Sequence, residues 1–205
     1  MGIEVLVVQH GEKVRSAGDP GLTDLGHRQA STVARWLAEN RPDIDAIFTS
    51  PLRRAQETAA PITAALGLAA RTDPRFRERM NWDNDSGISL AEFLTDWQRA
   101  THHRDYQPLI GDSSNDASAR FIAALVNLER GETDVVVVVA HGGVTVDVLR
   151  TIAGDSSVSE ANSDLISDGV PCCAITRLRV ARGVVTVINY PSTDHLNEPT
   201  PHRPA

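Results

Sequence analysis

The sequence predicts a three-layer α/β/α sandwich, in which helices cover both faces of a central, mostly parallel β-sheet. Segments 3–8 and 135–140 are continuously apolar and rich in β-branched residues, which is typical of strands covered on both faces. Amphipathic helical segments alternate with the strands, the order found in folds built on a parallel sheet. The length of 205 residues, with 41% hydrophobic and 23% charged residues, suits one domain with a substantial core. We therefore expect a single domain over 1–205.

The first strand and helix are predicted from the residues before position 43. Segment 3–8 forms the strand, and a loop rich in glycine and proline follows it. Thr23 is predicted to cap the helix, and residues 40–42 are predicted to end it. Between these limits apolar residues recur at helical spacing: Ala30, Val33, Ala34, Leu37 and Ala38.

A second strand and helix are predicted directly afterwards. Residues 46–49 form a short strand, and Ser50 is predicted to be the N-cap of the helix, with Pro51 at its first position. The helix is predicted to stop at Gly67. A third strand is predicted within 68–72.

The middle of the chain is less regular. Residues 73–87 are polar, apart from Met80 and Trp82. Ser89 and Glu92 form a capping-box pattern, which predicts the start of a third helix. Its inward residues are predicted to be Leu90, Phe93, Leu94 and Trp97. A turn at 111–116 then leads into a fourth helix, in which Phe121, Leu125 and Leu128 lie at helical spacing.

In the last third of the chain, the residue pattern predicts the most clearly defined strand of the sequence and a terminal hairpin. The valine-rich strand 135–140 precedes a helix over 144–152 that closes at Gly154. Segments 174–180 and 184–190 are predicted to pair as a hairpin through the turn Arg182-Gly183. Residues 191–205 are polar and proline-rich and are predicted to be a loosely ordered tail.

Charge and composition exclude several classes of function. The formal net charge is −7 and the two signs are mixed along the chain, so we expect no nucleic-acid partner. The sequence contains neither a signal-peptide pattern nor an apolar stretch of about 18 residues, so we expect a cytoplasmic protein without membrane contact. The adjacent Cys172 and Cys173 are predicted to be reduced, because a vicinal disulfide is strained.

Two of the seven histidines stand where ligands bind in α/β sheets. His10 and His141 each follow a valine-rich strand and precede a glycine, so both should lie in the crevice beyond the carboxyl ends of the strands. The other histidines lie on helices or loops and are predicted to be mostly solvent-facing: His27, His102, His103, His195 and His202.

Several ordered motifs carry a family resemblance that spans nearly the whole chain. They are Gln9-His10-Gly11-Glu12, Leu22-Thr23-Asp24-Leu25-Gly26, the segment from Ser50 to Ala59, Phe76-Arg77-Glu78, Gly111-Asp112-Ser113 and Ala140-His141-Gly142-Gly143. Together they resemble the histidine phosphatase superfamily, also called phosphoglycerate mutase-like. The resemblance implies the three-layer fold predicted above.

The resemblance also implies catalytic roles. His10 would attack phosphorus and carry the phosphoryl group, because a neutral imidazole is a good nucleophile at neutral pH. Arg54 would hold the phosphoryl oxygens with a bidentate fork, and His141 would donate to them as an imidazolium. Glu78 would protonate the leaving group and later activate water. Because Glu78 lies between Arg77 and Arg79, a surface charge run is the alternative interpretation.

Further residues are predicted to bind the substrate. Gly11 would let the backbone approach the phosphate, and Ser113 would donate a further hydrogen bond. Gly142 belongs to the second histidine motif, and Trp82 is predicted to be core or a wall of the substrate pocket.

The chain departs from the family pattern at Gln9, where the resemblance implies an arginine. A glutamine amide donates a neutral hydrogen bond without a positive charge or a fork. The difference in hydrogen-bond strength predicts a phosphatase weakened by roughly 3- to 30-fold relative to one with the arginine. Lys13 or Arg15, in the loop after the nucleophile, would compensate.

These observations favour a phosphatase that acts on a small phosphorylated metabolite through a phosphohistidine, with no metal and no cofactor. A phosphate-binding or signalling protein with little turnover is one alternative, and lyase or isomerase chemistry permitted by Gln9 is another. Mutase-type transfer is less favoured because the phosphoglycerate mutases are usually longer and keep the arginine. Besides the metabolite, we consider one protein partner, a second copy of this chain in a homodimer.

Overall fold

A mostly parallel, six-stranded sheet forms the centre of the protein, in the order β3-β2-β4-β1-β5-β6. The computed structural model describes residues 2–83, 85–131 and 133–196. The strands are β1 (Ile3–Gln9), β2 (Ala46–Thr49), β3 (Ala70–Thr72), β4 (Val135–Ala140), β5 (Ile175–Ala181) and β6 (Val184–Ser192). β1 to β4 are parallel, whereas β5 and β6 are antiparallel to their neighbours, as the sequence predicts.

Helices cover both faces of the sheet, which confirms the predicted sandwich. They are α1 (Asp24–Asn40), α2 (Arg53–Leu66), α3 (Leu90–His102), α4 (Ser114–Leu128), α5 (Gly142–Ala153), α6 (Asp155–Ala161) and α7 (Leu165–Asp168). Side chains of β1 alternate between two cores, because successive residues of a strand point to opposite faces. Leu6 and Val8 pack with α1 and α2, whereas Val5 and Val7 pack with α4 and α5.

The two central strands end together, which positions the site. In the parallel register of β1 and β4, Gln9 lies beside Ala140, the last residue of each strand. His10 N donates to Ala140 O at 3.1 Å, so the pairing extends one residue beyond the strand. His10 and His141 therefore leave the sheet at the same edge.

Several local predictions are confirmed. Thr23 caps α1 by accepting from Gly26 N, and both hydrogen bonds of the capping box at Ser89 are present. Gly67 ends α2 in the left-handed conformation. The hairpin turn has positive φ at both Arg182 and Gly183.

The predicted start of α2 is wrong. The helix begins at Arg53, and Leu52 is its N-cap. Ser50 Oγ accepts from Leu52 N at 3.2 Å and lies 2.7 Å from His141 Nε2. The serine hydroxyl therefore serves the site, and the sequence did not reveal this role.

The predicted orientation of α3 is also wrong. Its buried residues are Asp96, Ala100 and Thr101, whereas Leu90 is 49% exposed and Leu94 is 51% exposed. The buried carboxylate of Asp96 accepts from Tyr106 Oη at 2.7 Å and from a backbone amide, which satisfies a polar group on the core side. Phe93 and Trp97 are half-buried, so the apolar stripe lies at the edge of the core, and the prediction fails for Leu90 and Leu94.

The described part of the predicted tail is ordered. Residues 191–192 belong to β6, and Asp194–Leu196 forms a 3₁₀ turn. His195, predicted among the solvent-facing histidines, is buried near Trp36 and lies 3.0 Å from Cys173 O. His202 and the rest of the tail lie outside the described residues.

Both cysteines are free thiols, as predicted. Within the described ranges, none of the helices combines the length and the hydropathy needed to cross a membrane. The short helices α6 and α7 were not predicted, because they are too short to show a helical period.

Candidate active site

His10 is held as a neutral imidazole with a defined tautomer. Its Nδ1 lies 2.7 Å from Gly11 O, and since a carbonyl can only accept, we place the hydrogen on Nδ1. Nε2 accepts from Arg54 Nε at 3.2 Å. Burial, followed by the positive charge of Arg54, lowers the pKa of His10 to about 3. At neutral pH, Nε2 therefore has the free electron pair that a nucleophile needs.

Arg54 presents a buried cation to this nitrogen from the first turn of α2. Besides the bond to His10, its Nη1 donates to Asn81 Oδ1 at 3.2 Å and lies 3.8 Å from Asp19 Oδ1. These partners fix the guanidinium in one orientation, and sequence motifs did not point to either of them. The preceding residue, Arg53, is exposed and pairs with Glu57 instead.

His141 is fully buried against the first histidine. The ring centroids of His10 and His141 are 5.2 Å apart at an interplanar angle of 61°. Nε2 of His141 pairs with Ser50, whereas its Nδ1 has no hydrogen-bond partner within 2–83, 85–131 and 133–196. Burial, and then the charge of Arg54, hold the pKa of His141 well below its usual value. In this arrangement the lowered pKa favours a neutral His141 over the predicted imidazolium.

Glu78 is oriented by the start of α5 and is not part of a surface charge run. Oε1 accepts from Val144 N at 2.7 Å and from Arg79 N at 2.8 Å, and Oε2 accepts from Gly143 N at 3.0 Å. Free N–H groups and the helix dipole stabilise a carboxylate at this position. The surface alternative is excluded by these three backbone bonds.

Arg120 fixes the backbone that carries Glu78. Its guanidinium donates to the carbonyls of Arg75, Arg77 and Glu78 at 2.7, 2.8 and 3.0 Å. Sequence reasoning missed this residue, because nothing in the spacing of α4 indicates which loop it meets.

A buried ion pair, also missed from the sequence, lies behind the site. Arg79 Nη1 donates to Asp147 Oδ1 at 3.0 Å, and Ser114 Oγ donates to the same oxygen at 2.6 Å. Arg79 also stacks over the ring of Trp97, 4.0 Å from its centroid. Burial raises the pKa of Asp147 to about 6, against the opposing charge of Arg79.

A crevice of about 620 Å³ contains the charged groups of the site. Lys13, Arg15, Arg54 and Glu78 all line it. Within the described ranges, Lys13 and Arg15 form no hydrogen bond or ion pair through their side chains. Burial, and then the charges of Arg54 and Arg15, lower the pKa of Lys13, which places this ammonium close to the arginines. Trp82 lines the same crevice, as the pocket-wall interpretation predicts.

Gln9 and Gly142 line a smaller, neighbouring cavity of about 290 Å³, which shares Lys13, Glu78 and Trp97 with the larger crevice. Gln9 is 7% exposed, and its Oε1 has no hydrogen-bond partner among the described residues. A Cβ at Gly142 would lie 3.4 Å from Gln9 Nε2. The side chain therefore turns toward α5.

Gly11 and Ser113, both predicted to contact the phosphate, have structural roles instead. Gly11 N donates to Thr58 Oγ1 at 3.0 Å, and a Cβ at Gly11 would lie 2.6 Å from Gly26 O. Close packing against α1 therefore requires this glycine. Ser113 is the N-cap of α4, and its hydroxyl bonds Asp116. The serine lines neither cavity.

The fold and this crevice define an α/β protein suited to an anionic ligand, in which a neutral histidine lies beside a buried arginine. The model of the histidine phosphatase superfamily (branch 1) matches residues 5–190. A 2,3-bisphosphoglycerate-dependent phosphoglycerate mutase of Methylorubrum populi is 31% identical over 182 residues, which cover 82% of this chain and 77% of the mutase. The chain belongs to the histidine phosphatase superfamily.

Solved structures share the fold over nearly the full length. Mycobacterial glucosyl-3-phosphoglycerate phosphatase with inorganic phosphate matches with a TM-score of 0.71 at 23% identity, covering 94% of this chain and 99% of that chain. Phosphoserine phosphatase of Entamoeba histolytica in complex with 3-phosphoglyceric acid matches with a TM-score of 0.67 at 21% identity, covering 95% and 99%. At this identity the likeness shows the fold.

Proposed function

We propose that this protein is a phosphatase that hydrolyses a small phosphomonoester through a phosphohistidine on His10. One observation carries the proposal: Nε2 of His10 is kept unprotonated beside the guanidinium of Arg54. A nucleophile and the cation that neutralises phosphoryl charge thus face each other. Membership of the histidine phosphatase superfamily and neighbours named as phosphatases support it.

In the first step, the electron pair of His10 Nε2 attacks phosphorus in line, and the bond from phosphorus to the ester oxygen breaks. Arg54 leaves its bond with Nε2 and holds two phosphoryl oxygens, while His141 donates a neutral N–H. The substrate binds as its monoanion, and the Glu78 carboxylate takes the phosphate proton and passes it to the leaving oxygen, so that an alcohol departs.

In the second step, water attacks the phosphohistidine. Glu78 takes the proton of the water, the phosphorus–nitrogen bond breaks, and the electron pair returns to Nε2 of His10. Glu78 passes this proton to the departing inorganic phosphate, so Glu78 and His10 both regain their starting protonation. We expect the site to remain active with Gln9, because Lys13 lines both cavities, forms no ion pair among the described residues, and supplies the positive charge that the family's arginine would bring.

Rapid chemical quench with a ³²P-labelled aryl phosphate tests this mechanism. The expected result is an acid-labile, alkali-stable phosphoenzyme that His10→Ala abolishes and that His103→Ala, at an exposed histidine, retains. Undiminished phosphate release by the His10→Ala variant would refute the proposal.

Phosphoryl transfer between two esters is a second candidate, because the Methylorubrum populi relative is named as a phosphoglycerate mutase. The two candidates share the phosphohistidine and differ in its acceptor. Release of inorganic phosphate in equal amount to the alcohol indicates hydrolysis, whereas appearance of label in a second ester without release indicates transfer.

A further inference from the structure

We infer that the substrate carries an apolar group, aromatic or alkyl, which binds along one side of the 620 Å³ crevice. This inference deepens the proposed function and rests on it. The side in question, here called the apolar wall, is formed by Met80, Trp82, Leu90, Phe93, Leu94 and Trp97.

The apolar wall is a helical stripe that the core does not use. Its α3 members occupy positions i, i+3, i+4 and i+7, a spacing that ordinarily faces the interior of a protein. In α3 the interior side is taken by Asp96, Ala100 and Thr101 instead. Leu90 and Leu94 are about half exposed, at 49% and 51%, and both border the crevice. Exposed apolar side chains beside polar groups are typical of ligand-binding grooves, among other interaction sites.

The wall is held rigidly next to the reacting groups. A Cβ at Gly143 would lie 2.6 Å from Trp97 Cη2 and 2.8 Å from Glu78 Oε1, so the indole and the carboxylate meet at the same point of α5. The Arg79 guanidinium stacks on the Trp97 ring, 4.0 Å from its centroid. Trp82 donates its indole N–H to Ile88 O at 3.0 Å, which leaves its carbon surface for the crevice.

The crevice therefore has two chemically distinct regions. Among the described residues, the charged ones that line it are Lys13, Arg15, Arg54 and Glu78, which suit the phosphoryl group and the leaving oxygen. The apolar wall offers no charged partner for a second anionic group. A volume of about 620 Å³ is within the range of small-molecule pockets. A phosphate ester with an apolar alcohol matches both regions at once.

Binding of n-alkylphosphonates from methyl to hexyl, measured by calorimetry, tests the wall without requiring turnover. A methylene fully removed from water is worth about 0.8 kcal/mol, or roughly fourfold, and contact on one side should give roughly twofold per methylene. The dissociation constant should therefore fall with chain length in the full-length protein. A flat series would overturn the inference.

Variants assign the effect to the wall. Leu94→Gln should flatten the dependence on chain length, whereas Leu109→Gln, at another exposed leucine that does not line the crevice, should keep it. An unchanged slope in Leu94→Gln would overturn the inference. Gel filtration of the same variant tests whether the wall is a subunit interface instead, and a change from dimer to monomer with an unchanged slope would also overturn the inference.

Hydrolysis of the matching alkyl phosphates separates this inference from the proposed function. Phosphate release whose kcat/KM rises with chain length supports both. Release without any dependence on chain length overturns the apolar subsite alone. A clear slope in phosphonate binding, with no phosphoenzyme and no phosphate release, overturns the phosphatase and supports the subsite.

Discussion

Arg54 Nε donates to His10 Nε2 at 3.2 Å, so a buried, charged donor binds the nitrogen that we propose as the nucleophile. The bond keeps a proton off Nε2 and keeps the guanidinium where the phosphoryl group must arrive. Both side chains are buried, so a solvent-exposed residue cannot easily replace either one in this pair.

Replacement of Arg54 should affect the reaction far more than replacement of its neighbour. Loss of one fixed donor of this kind typically lowers kcat about 10²- to 10³-fold, so we expect such a loss in Arg54→Ala. Arg53→Ala, at an exposed cation paired with Glu57, should remain within about twofold. Steady-state hydrolysis of an aryl phosphate measures both, and equal losses would contradict the assignment.

The depressed pKa of His10 should make the fold sensitive to acid. Below about pH 6.5 the unfolded chain protonates this histidine, whereas the folded protein does so only near its pKa of about 3. The unfolded state thus binds more protons between these two pH values. As the pH is lowered through this range, the free energy of unfolding therefore falls by about 1.4 kcal/mol per pH unit for this one group.

Urea unfolding of His10→Asn at pH 7, 6 and 5 isolates that contribution. The variant should lose less stability than the wild type as the pH falls, and the difference should grow below about pH 6. His103→Asn, at an exposed histidine, should follow the wild type. Asp147, whose pKa burial raises to about 6, acts with the opposite sign and is the same in all three proteins. Parallel curves for the wild type and His10→Asn would refute the prediction.

Gln9 and Lys13 should show coupled effects. Gln9→Arg should lower KM for a simple phosphate ester by roughly 3- to 30-fold, the gain expected from a charged over a neutral donor. Lys13→Met should raise KM in the wild-type background and have less effect beside Arg at position 9. A double-mutant cycle on KM measures the coupling. No change, or weaker binding, in Gln9→Arg would show that the glutamine has another role.

Gly143→Ala should disturb catalysis through steric contact. The added Cβ would lie 2.6 Å from Trp97 and 2.8 Å from Glu78, so one of these side chains must move. Overpacking of this kind costs about 1–3 kcal/mol, and displacement of Glu78 should lower kcat at least about tenfold. Gly131→Ala, whose Cβ would meet its nearest atom at 3.3 Å, is the matched control. A variant with normal kcat would contradict the prediction that the added Cβ displaces Glu78.

The sequence predicted the parts of the site that depend on local pattern. A valine-rich strand that stops at His-Gly is visible in the residues themselves, so the edge that joins His10 and His141 could be foreseen. The family resemblance supplied Arg54 and Glu78 as candidates. The neutral state of His141 could not be predicted, because it follows from complete burial beside Arg54.

Other features depend on contacts that no local pattern reveals. Helical spacing predicted the apolar stripe of α3 but not which side of the helix faces the core, since Asp96 is satisfied there by Tyr106. The pair of Arg79 and Asp147 joins distant parts of the chain. Serine before proline predicts a helix cap at Ser50, whereas its partner His141 lies in another element and cannot be found from the local pattern.

The register that places Gln9 beside Ala140 also affects how the protein folds. These residues come from the beginning and the last third of the chain, so their parallel pairing closes a long loop and should form late. The histidines meet only when that pairing is complete. Regain of phosphohistidine formation during refolding is therefore a sensitive reporter of the finished sheet, and it should lag behind the recovery of helical signal in circular dichroism.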